Sequence, residues 1–165
     1  MKDIKKEELK LERLPELKER FDKLEKEIDK KYIERIKANI ECDHQWYKKE
    51  IYPLKEEQDY IERLINRIKR FNVQVGDGVT IHLYSDSHAA TVIKRTAKSI
   101  TVQQDKAIRI DKNGMSEDQE YRFERDEKGW VSTYRWSDVY GAFRSSGDQS
   151  IGITNGRYEY FDYSF

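Results

Sequence analysis

The chain has a single cysteine and no long apolar run, and these two absences limit what it can be. Cys42 is the only cysteine among 165 residues, which excludes an intramolecular disulfide and indicates a reducing compartment. No stretch approaches the roughly 18 apolar residues that a membrane-spanning helix requires. The first residues, MKDIKKEELKLER, contain no apolar segment typical of a secretory signal. These features predict a cytoplasmic protein that does not enter a membrane.

A net charge is absent as well. Lys and Arg together number 32, and Asp and Glu together also number 32, so no overall field draws the protein to nucleic acid or to a membrane surface. Charged residues make up 39% of the chain and the hydrophobic class 36%. This balance disfavours one large core and favours an exposed helical segment.

Glycine is missing from the first 71 residues, whereas all eight glycines lie between Gly76 and Gly156. Val, Thr, Tyr and Phe concentrate in the same later part. Helices exclude glycine, and turns between strands need it. The distribution therefore predicts a helical module over residues 1–71 and a β domain over residues 72–165.

Apolar residues in the first part recur at spacings of three and four, as they do along one face of a helix. They form two stripes. The first is Leu14, Leu17, Phe21, Leu24 and Ile28, continued by Tyr32, Ile36 and Ile40, and the second is Leu54, Ile61, Leu64, Ile65, Ile68 and Phe71. Two helices are predicted, over about residues 5–48 and 53–71, because Pro53 suits the first turn of a new helix. The position of the break within the run CDHQWYKKEIYP stays open. The two helices form either an antiparallel hairpin or a coiled coil that joins copies of the chain.

Residues in the second part alternate between apolar and polar, for example around Ile81, which lies between Thr80 and His82, and around Val102, which lies between Thr101 and Gln103. This alternation is typical of strands with one face in a core. Turn residues recur every 8 to 12 positions or so, as in a small barrel or sandwich. The opening VGDGVTIHLYSDSHAATVIKRTAKSITVQ resembles the start of an SH3-like barrel. The predicted fold class is α+β, with an N-terminal helical hairpin or coiled coil followed by a small antiparallel SH3-like β-barrel.

Four runs in the second part occur in order: SDSHAATVI, TVQQDKAIR, DKNGMSEDQEYRFERDEKG and GRYEYFDYSF. Together they resemble a group of small proteins encoded by bacteriophages and prophages of Gram-positive bacteria. The resemblance covers residues 74–165 and leaves the helices as an added N-terminal module. It implies a phage origin and a setting in the host cytoplasm, where small accessory phage proteins often act on host defence. It supplies no mechanism and no site residues.

The sequence contains no enzyme or cofactor motif that we recognise. It has no phosphate-binding glycine loop, nucleophile elbow, His-Glu-x-x-His motif or cysteine pair. His82, Asp86 and His88 could collect a metal ion, but in a strand and turn the two histidines need not face the same way. We therefore predict a non-enzymatic protein without a catalytic residue, metal ion or cofactor.

A candidate ligand- or partner-binding site follows from the predicted order of the strands. If residues 79–84, 89–96, 100–105 and 107–111 form a consecutive meander, alternate turns lie at the same end. The residues that would meet there are Asp86, His88, Gln104, Asp105, Lys106, Lys128 and Trp130. Such a cluster could bind a polar ligand or a partner's loop. Alternatively, Asp86 accepts backbone hydrogen bonds within its turn, and Asp105 forms a local ion pair with Lys106.

Aromatic residues give a second candidate surface. Strand alternation places Trp130, Tyr134 and Trp136 on one face, and further aromatics crowd the C-terminus: Tyr158, Phe161, Tyr163 and Phe165. Such residues are usually core residues, although exposed ones could stack on a nucleic-acid base.

The expected function is that of a phage-encoded, non-enzymatic binding protein. Its partner would be a host component, either a defence protein or its nucleotide signal, and the helices could join copies of the chain. One alternative is a nucleic-acid-binding accessory protein that uses the barrel and its aromatics. A third is a small hydrolase built on Asp86 and His88.

Overall fold

The computed structural model describes residues 9–164, and this part of the chain is an α+β protein. Two N-terminal helices precede a closed six-stranded antiparallel barrel. The chain divides into two compact units, one that ends at Ile68 and one that begins at Lys69. The predicted fold class is confirmed, and the barrel is consistent with an SH3-like one. Within the described part, the helices are too short or too polar to cross a bilayer.

The described part of the helical unit, from residue 9 onwards, contains two long helices. After a 3₁₀ turn at Leu11–Arg13, helix α1 spans Leu14–Lys37. The second helix starts as α2 (His44–Trp46), passes through a π turn at Tyr47–Ile51 and continues as α3 (Tyr52–Phe71). The predicted stripes contribute the buried residues Leu17, Leu24, Ile28, Ile61, Leu64, Ile65 and Ile68.

Two ion pairs give the relative direction of the helices. The Nε atom of Arg20 lies 2.7 Å from Oε1 of Glu57, and the Nζ atom of Lys31 lies 2.9 Å from Oε2 of Glu50. Residue numbers rise along one helix as they fall along the other. The two helices therefore form an antiparallel hairpin within one chain.

The break between the helices lies earlier than the predicted one. Helix α1 ends at Lys37, because Asn39 adopts a left-handed conformation (φ 54°) that an α-helix cannot continue. The second helix then begins at His44 and is capped by Asp43, whose carboxylate accepts a 2.8 Å hydrogen bond from the backbone N–H of Trp46. Asn and Asp at these two positions set the boundary, and the prediction that the first helix reaches residue 48 is wrong.

Pro53 lies within the second helix and does not begin it. A proline ring clashes with the carbonyl group one turn earlier in a regular α-helix. Here the π turn at Tyr47–Ile51 directly precedes the proline, and the N–H of Tyr52 donates to the carbonyl of Tyr47. The wider turn relieves the crowding, so the helix continues through the proline.

Among the described residues, the second unit contains eight strands, six of which close the barrel. They are β1 (Gly78–His82), β2 (Ser87–Arg95), β3 (Ser99–Gln104), β4 (Lys106–Arg109), β5 (Tyr121–Glu124), β6 (Val131–Ser137), β7 (Ala142–Ser145) and β8 (Gly152–Asn155). The barrel order is β1-β2-β3-β6-β7-β8, and β8 pairs with β1 to complete it. Strands β4 and β5 form a separate two-stranded hairpin.

Inward-facing residues of the barrel form one hydrophobic core. Its members are Val73, Val79, Ile81, Ala90, Val92, Ile100, Val102, Tyr134, Phe143 and Ile153. Trp136 packs against this core, 5.2 Å from Phe143 between ring centroids, and Phe71 packs edge-on against Trp136 at 4.8 Å. The last turn of α3 therefore belongs to the barrel unit.

The predicted four-strand meander is wrong beyond β3. Strand β3 pairs with β2 and β6, and β4 pairs only with β5. A single residue, Asp105, separates β3 from β4, which is too short a connection for a turn back onto β3. The chain instead leaves the barrel at Asp105, forms the β4–β5 hairpin and re-enters at β6.

Candidate binding site at one end of the barrel

Three segments meet at the end of the barrel where β1 finishes. Strand β2 starts there after the turn at residues 83–86, β3 ends there, and the loop at residues 125–130 leads into β6 beside β3. The backbone N–H of Gln104 donates to the carbonyl of Trp130 at 2.9 Å, and that of Asp105 donates to the carbonyl of Ala89 at the same distance. The seven predicted site residues therefore lie on segments that share this end.

Asp105 is the most buried of these residues. Its side chain has no exposed surface, and it accepts from Nη1 of Arg125 and from Nε of Arg157, each at 2.7 Å. The hydroxyl group of Thr91 adds contacts of 2.7 and 2.9 Å. The predicted local ion pair between Asp105 and Lys106 is wrong, because Asp105 points into the protein and pairs with two arginines from distant segments.

Removing a carboxylate from water is unfavourable unless its oxygen atoms are hydrogen-bonded and its charge is balanced. Arg125 comes from the loop before β6, and Arg157 follows β8. Asp105 therefore joins the point where the chain leaves the barrel to the loop and to the C-terminal segment. This is a structural role.

The side chain of Gln103 holds the loop at residues 125–130 in place. Its Nε2 atom donates to the carbonyls of Glu127 (2.9 Å) and Gly129 (3.3 Å), and its Oε1 atom accepts from Nη2 of Arg125 (3.0 Å). A Cβ atom added at Gly129 would lie 2.0 Å from the carbonyl oxygen of Gln104. Only glycine permits this close approach, so the loop is tightly fixed.

The exposed part of the site consists of Lys106, Lys128 and Trp130. Trp130 retains 60% of its accessible surface, and both lysines are exposed. A large aromatic side chain on a tightly fixed loop is typical of a binding surface. In the part of the chain that the structure describes, these three side chains make no hydrogen bond that a partner would have to displace.

Asp86 fastens the turn to the C-terminal segment. Its Oδ1 atom accepts a 3.0 Å hydrogen bond from the backbone N–H of Asp162, and its carbonyl accepts from the N–H of Leu83 at 2.9 Å. The backbones of Ser87 and Tyr160 exchange two further hydrogen bonds. One alternative predicted from the sequence was that Asp86 accepts backbone hydrogen bonds within its turn. Its carboxylate does accept a backbone hydrogen bond, but the donor lies in the C-terminal segment.

His88 is partly buried against the same segment. Its Nδ1 atom lies 2.9 Å from Oε1 of Glu159, and Oε2 of Glu159 accepts a 2.7 Å hydrogen bond from the N–H of Ala89. The Glu159 carboxylate raises the pKa of His88, while burial acts in the opposite direction. The ring of Phe161 covers the imidazole edge-on at 5.4 Å.

The two histidines of the possible metal set have separate partners. His82 places Nδ1 3.0 Å from the hydroxyl of Ser87 and Nε2 2.7 Å from the hydroxyl of Thr154, whereas His88 contacts Glu159. Within residues 9–164, no three His, Cys, Asp or Glu side chains are grouped closely enough to hold a metal ion.

Sequence reasoning missed Glu159, Arg157, Arg125, Gln103 and Thr91, which make most of the polar contacts at this end. Glu159 is 3% exposed although it lies in the aromatic run YEYFDYSF. The only signal in the sequence was that Glu159 alternates with aromatic residues. This pattern did not identify its partner His88, which lies 71 positions away.

The predicted aromatic surface divides into buried and exposed parts. Tyr134 is 1% exposed and Trp136 packs on the core, whereas Trp130 and Tyr158 are exposed. The rings of Tyr158 and Tyr160 stack with centroids 6.4 Å apart. Phe161 lies against His88, and Tyr163 accepts a 2.9 Å hydrogen bond from Arg109. Phe165 lies outside the described residues.

The fold and the site define an α+β protein with a helical hairpin and a barrel that presents a tightly fixed polar and aromatic surface at one end. Comparisons with protein-family models, with curated proteins and with solved structures find no match to this chain.

Proposed function

We propose that the protein is a phage-encoded, non-enzymatic binding protein that engages a host component through the barrel end bearing Trp130. The exposure of Trp130, at 60% on a loop held by Gln103 and Gly129, carries this proposal. A rigid aromatic loses little conformational freedom when a partner covers it, so the entropic cost of binding is low. Lys106 and Lys128 make the same end attractive to an acidic partner.

The host component is a defence protein or its nucleotide signal. Either one fits an exposed indole beside two ammonium groups, because an indole can stack on a base or fill a protein pocket, and lysine binds phosphate or carboxylate. The phage setting derives from the sequence resemblance over residues 74–165.

The test is a phage infection assay in a Gram-positive host that carries a defence system, with the protein supplied in trans. Wild-type protein should restore plaque formation, and Trp130→Ala should lose this effect while melting at nearly the same temperature. The matched control is Tyr60→Ala, which removes a half-exposed aromatic from α3. Full activity of Trp130→Ala, with its fold intact, would contradict the assignment of this surface.

The lysines give a second comparison. The double variant Lys106→Ala and Lys128→Ala should weaken protection, and an equal change of charge at Lys94 and Lys98 should not. The second pair is also exposed, but Lys98 lies in the turn between β2 and β3, at the opposite end of the barrel. Equal losses from both pairs would point to a general charge effect, not to a site.

Nucleic-acid binding is a second candidate, favoured by the stacked and partly exposed rings of Tyr158 and Tyr160. The charges around them weaken it. After burial, the negative charges of Glu117, Asp162 and Asp86 help to raise the pKa of Tyr160, and such a surface repels phosphate. Salt-dependent binding of single-stranded DNA that is lost in Tyr158→Ala, but kept in Trp130→Ala, would support this candidate over the first.

A hydrolase built on Asp86 and His88 is the third candidate. In the structure, Asp86 holds the backbone of Asp162, and His88 is paired with Glu159, so both side chains are engaged in local structure. Turnover of a nucleotide by the purified protein that disappears in His88→Gln would favour the hydrolase over the binding protein.

A further inference from the structure

A row of outward-facing residues crosses three neighbouring strands of the barrel. His82 on β1 is in register with Gly152 on β8, which is in register with Arg144 on β7. The adjacent residues Ile81, Ile153 and Phe143 are buried in the core. Because side chains alternate along a strand, His82 and Arg144 project from the outer wall of the barrel.

The side chain of Arg144 lies across Gly152. A Cβ atom at Gly152 would come within 2.6 Å of Nη1 of Arg144, so glycine is needed for the guanidinium to lie there. Nη1 donates to the carbonyl of Ser150 at 2.9 Å, and the guanidinium stacks over the ring of Tyr140 at 4.7 Å. Its Nε atom is buried and has no hydrogen-bond partner within residues 9–164.

Arg70 approaches the same wall from the last turn of α3. The backbone on both sides of it is tied to the barrel, since Lys69 accepts from Nδ2 of Asn155 (3.1 Å) and Phe71 accepts from Nη2 of Arg95 (2.7 Å). These hydrogen bonds satisfy two carbonyls at the helix C-terminus. The carbonyl groups at that end of the helix therefore attract the guanidinium of Arg70 less strongly.

The charges of this wall act on one another. Burial lowers the pKa of Arg70, and the neighbouring charge of Arg144 lowers it further. Burial, Arg70 and Arg144, in that order, lower the pKa of His82. No carboxylate forms an ion pair with Arg70 or Arg144 within the described part of the chain. The nearby Asp148 directs its oxygen atoms to Ser150 and Tyr84.

Two partly buried guanidinium groups on the same wall of the barrel repel each other, and an anion bound by both would make the interaction favourable. A tetrahedral oxyanion suits the planar donor fork of arginine, which can hold two oxygen atoms at once. The buried Nε of Arg144 is a donor that such an oxyanion could use.

We infer that Arg70 and Arg144 form a binding site for the phosphate group of a small phosphorylated ligand on the outer wall of the barrel. His82 lies beside the site and hydrogen-bonds to Thr154 and Ser87. The site does not include Trp130, Lys106 or Lys128, so this inference and the proposed function can fail separately.

His82 provides a direct readout of occupancy. A bound phosphate places negative charge near the imidazole and stabilises its protonated form. An NMR titration of the His82 ring against pH, without and with inorganic phosphate at constant ionic strength, should show a pKa that rises with phosphate and saturates. A His82 pKa that phosphate leaves unchanged would overturn the inference.

The variant Arg144→Gln should weaken phosphate binding by about tenfold or more, since a hydrogen bond to a charged group is lost. Removing this charge also raises the His82 pKa by itself, so the comparison is the change on adding phosphate within each variant. Arg122→Gln is the matched control, because Arg122 is exposed on β5 and pairs with Glu124. An equal loss in both variants would contradict a defined site.

Arg70→Gln gives an independent check if Arg144→Gln proves unstable, because within residues 9–164 the Arg70 side chain makes no hydrogen bond that the substitution would break. This variant should weaken phosphate binding to a similar extent.

Titrations with 5′-AMP, adenosine and inorganic phosphate then distinguish the sources of the anion. Tighter binding of 5′-AMP indicates a phosphomonoester ligand, equal affinities indicate free phosphate, and binding of adenosine as tight as that of 5′-AMP would overturn the assignment to phosphate.

Discussion

The Nδ1 atom of His88 lies 2.9 Å from Oε1 of Glu159, and this contact joins strand β2 to the C-terminal segment. Glu159 is 3% exposed and also accepts the backbone N–H of Ala89. Because an ionised carboxylate in this position favours a protonated imidazole, the contact links the stability of the barrel to pH.

The stability that His88 contributes should decrease as the pH rises. Glu159 raises the pKa of His88 above its ordinary value of 6.5 in the folded state. The contribution is therefore fully present below the unfolded pKa and is lost as the pH passes through the higher folded pKa. Urea unfolding at several pH values should show that His88→Gln costs more at about pH 6 than at about pH 9.

His44→Gln is the control for this pH series, since His44 is exposed at the start of α2. The free energy of unfolding of His44→Gln should change with pH in the same way as that of the wild-type protein. A cost for His88→Gln that is equal at every pH would mean that packing against Phe161, not charge, is what His88 provides.

Asp105→Asn should destabilise the barrel unit strongly. It would leave Arg125 and Arg157 without their shared carboxylate, and breaking a buried ion pair on one side typically costs about 3–5 kcal/mol. Since both arginines are partly exposed, we expect the lower part of that range. The free energy of unfolding in urea measures the effect.

Glu124→Gln is the matched control for Asp105→Asn. The ion pair between Glu124 and Arg122 is exposed on both sides, so its loss should cost at most about 1 kcal/mol. If Asp105→Asn cost no more than Glu124→Gln, Asp105 would not anchor the exit of the chain from the barrel.

The residues that face the core could be predicted from the sequence, because they follow the period of a strand. Alternation along β1 and β3 correctly identified inward-facing residues such as Ile81 and Val102, because one sheet face must exclude water. It did not predict that β3 pairs with β6, because strand partners depend on where the chain leaves the barrel. That point is Asp105, whose partners Arg125 and Arg157 lie 20 and 52 residues away.

The polar contacts of the site show the same limit. Asp86 and His88 were recognised as neighbours within a turn, but their partners Asp162 and Glu159 lie 76 and 71 residues away. A single sequence contains no signal that pairs such distant residues. At the helix break, the local signals were present but were misjudged. Asn39 follows the end of the first helix and Asp43 caps the second, whereas the prediction used Pro53 as the start of the second helix.

Asn39 gives a test of that helix end. Its φ of 54° is unfavourable for most L-residues but not for glycine. Asn39→Gly should maintain or slightly raise the stability of the helical hairpin, whereas Asn39→Ala should lower it by about 1 kcal/mol. Thermal unfolding followed by circular dichroism compares them, and a more stable Ala variant would mean that α1 continues past Lys37 in solution.

The loop that carries Trp130 depends on one close backbone approach. Because a Cβ atom at Gly129 would lie 2.0 Å from the carbonyl oxygen of Gln104, Gly129→Ala must push the loop away from β3. We expect the free energy of unfolding to fall by about 1–3 kcal/mol, as for other overpacked positions, and the fluorescence of Trp130 to change. Gly147→Ala is the control, since nothing lies within 4 Å of its added Cβ atom.

If the Trp130 surface binds the host component, Gly129→Ala should lose protection at temperatures where the barrel remains folded, and Gly147→Ala should keep it. Full protection by a folded Gly129→Ala variant would show that binding does not require the fixed position of Trp130.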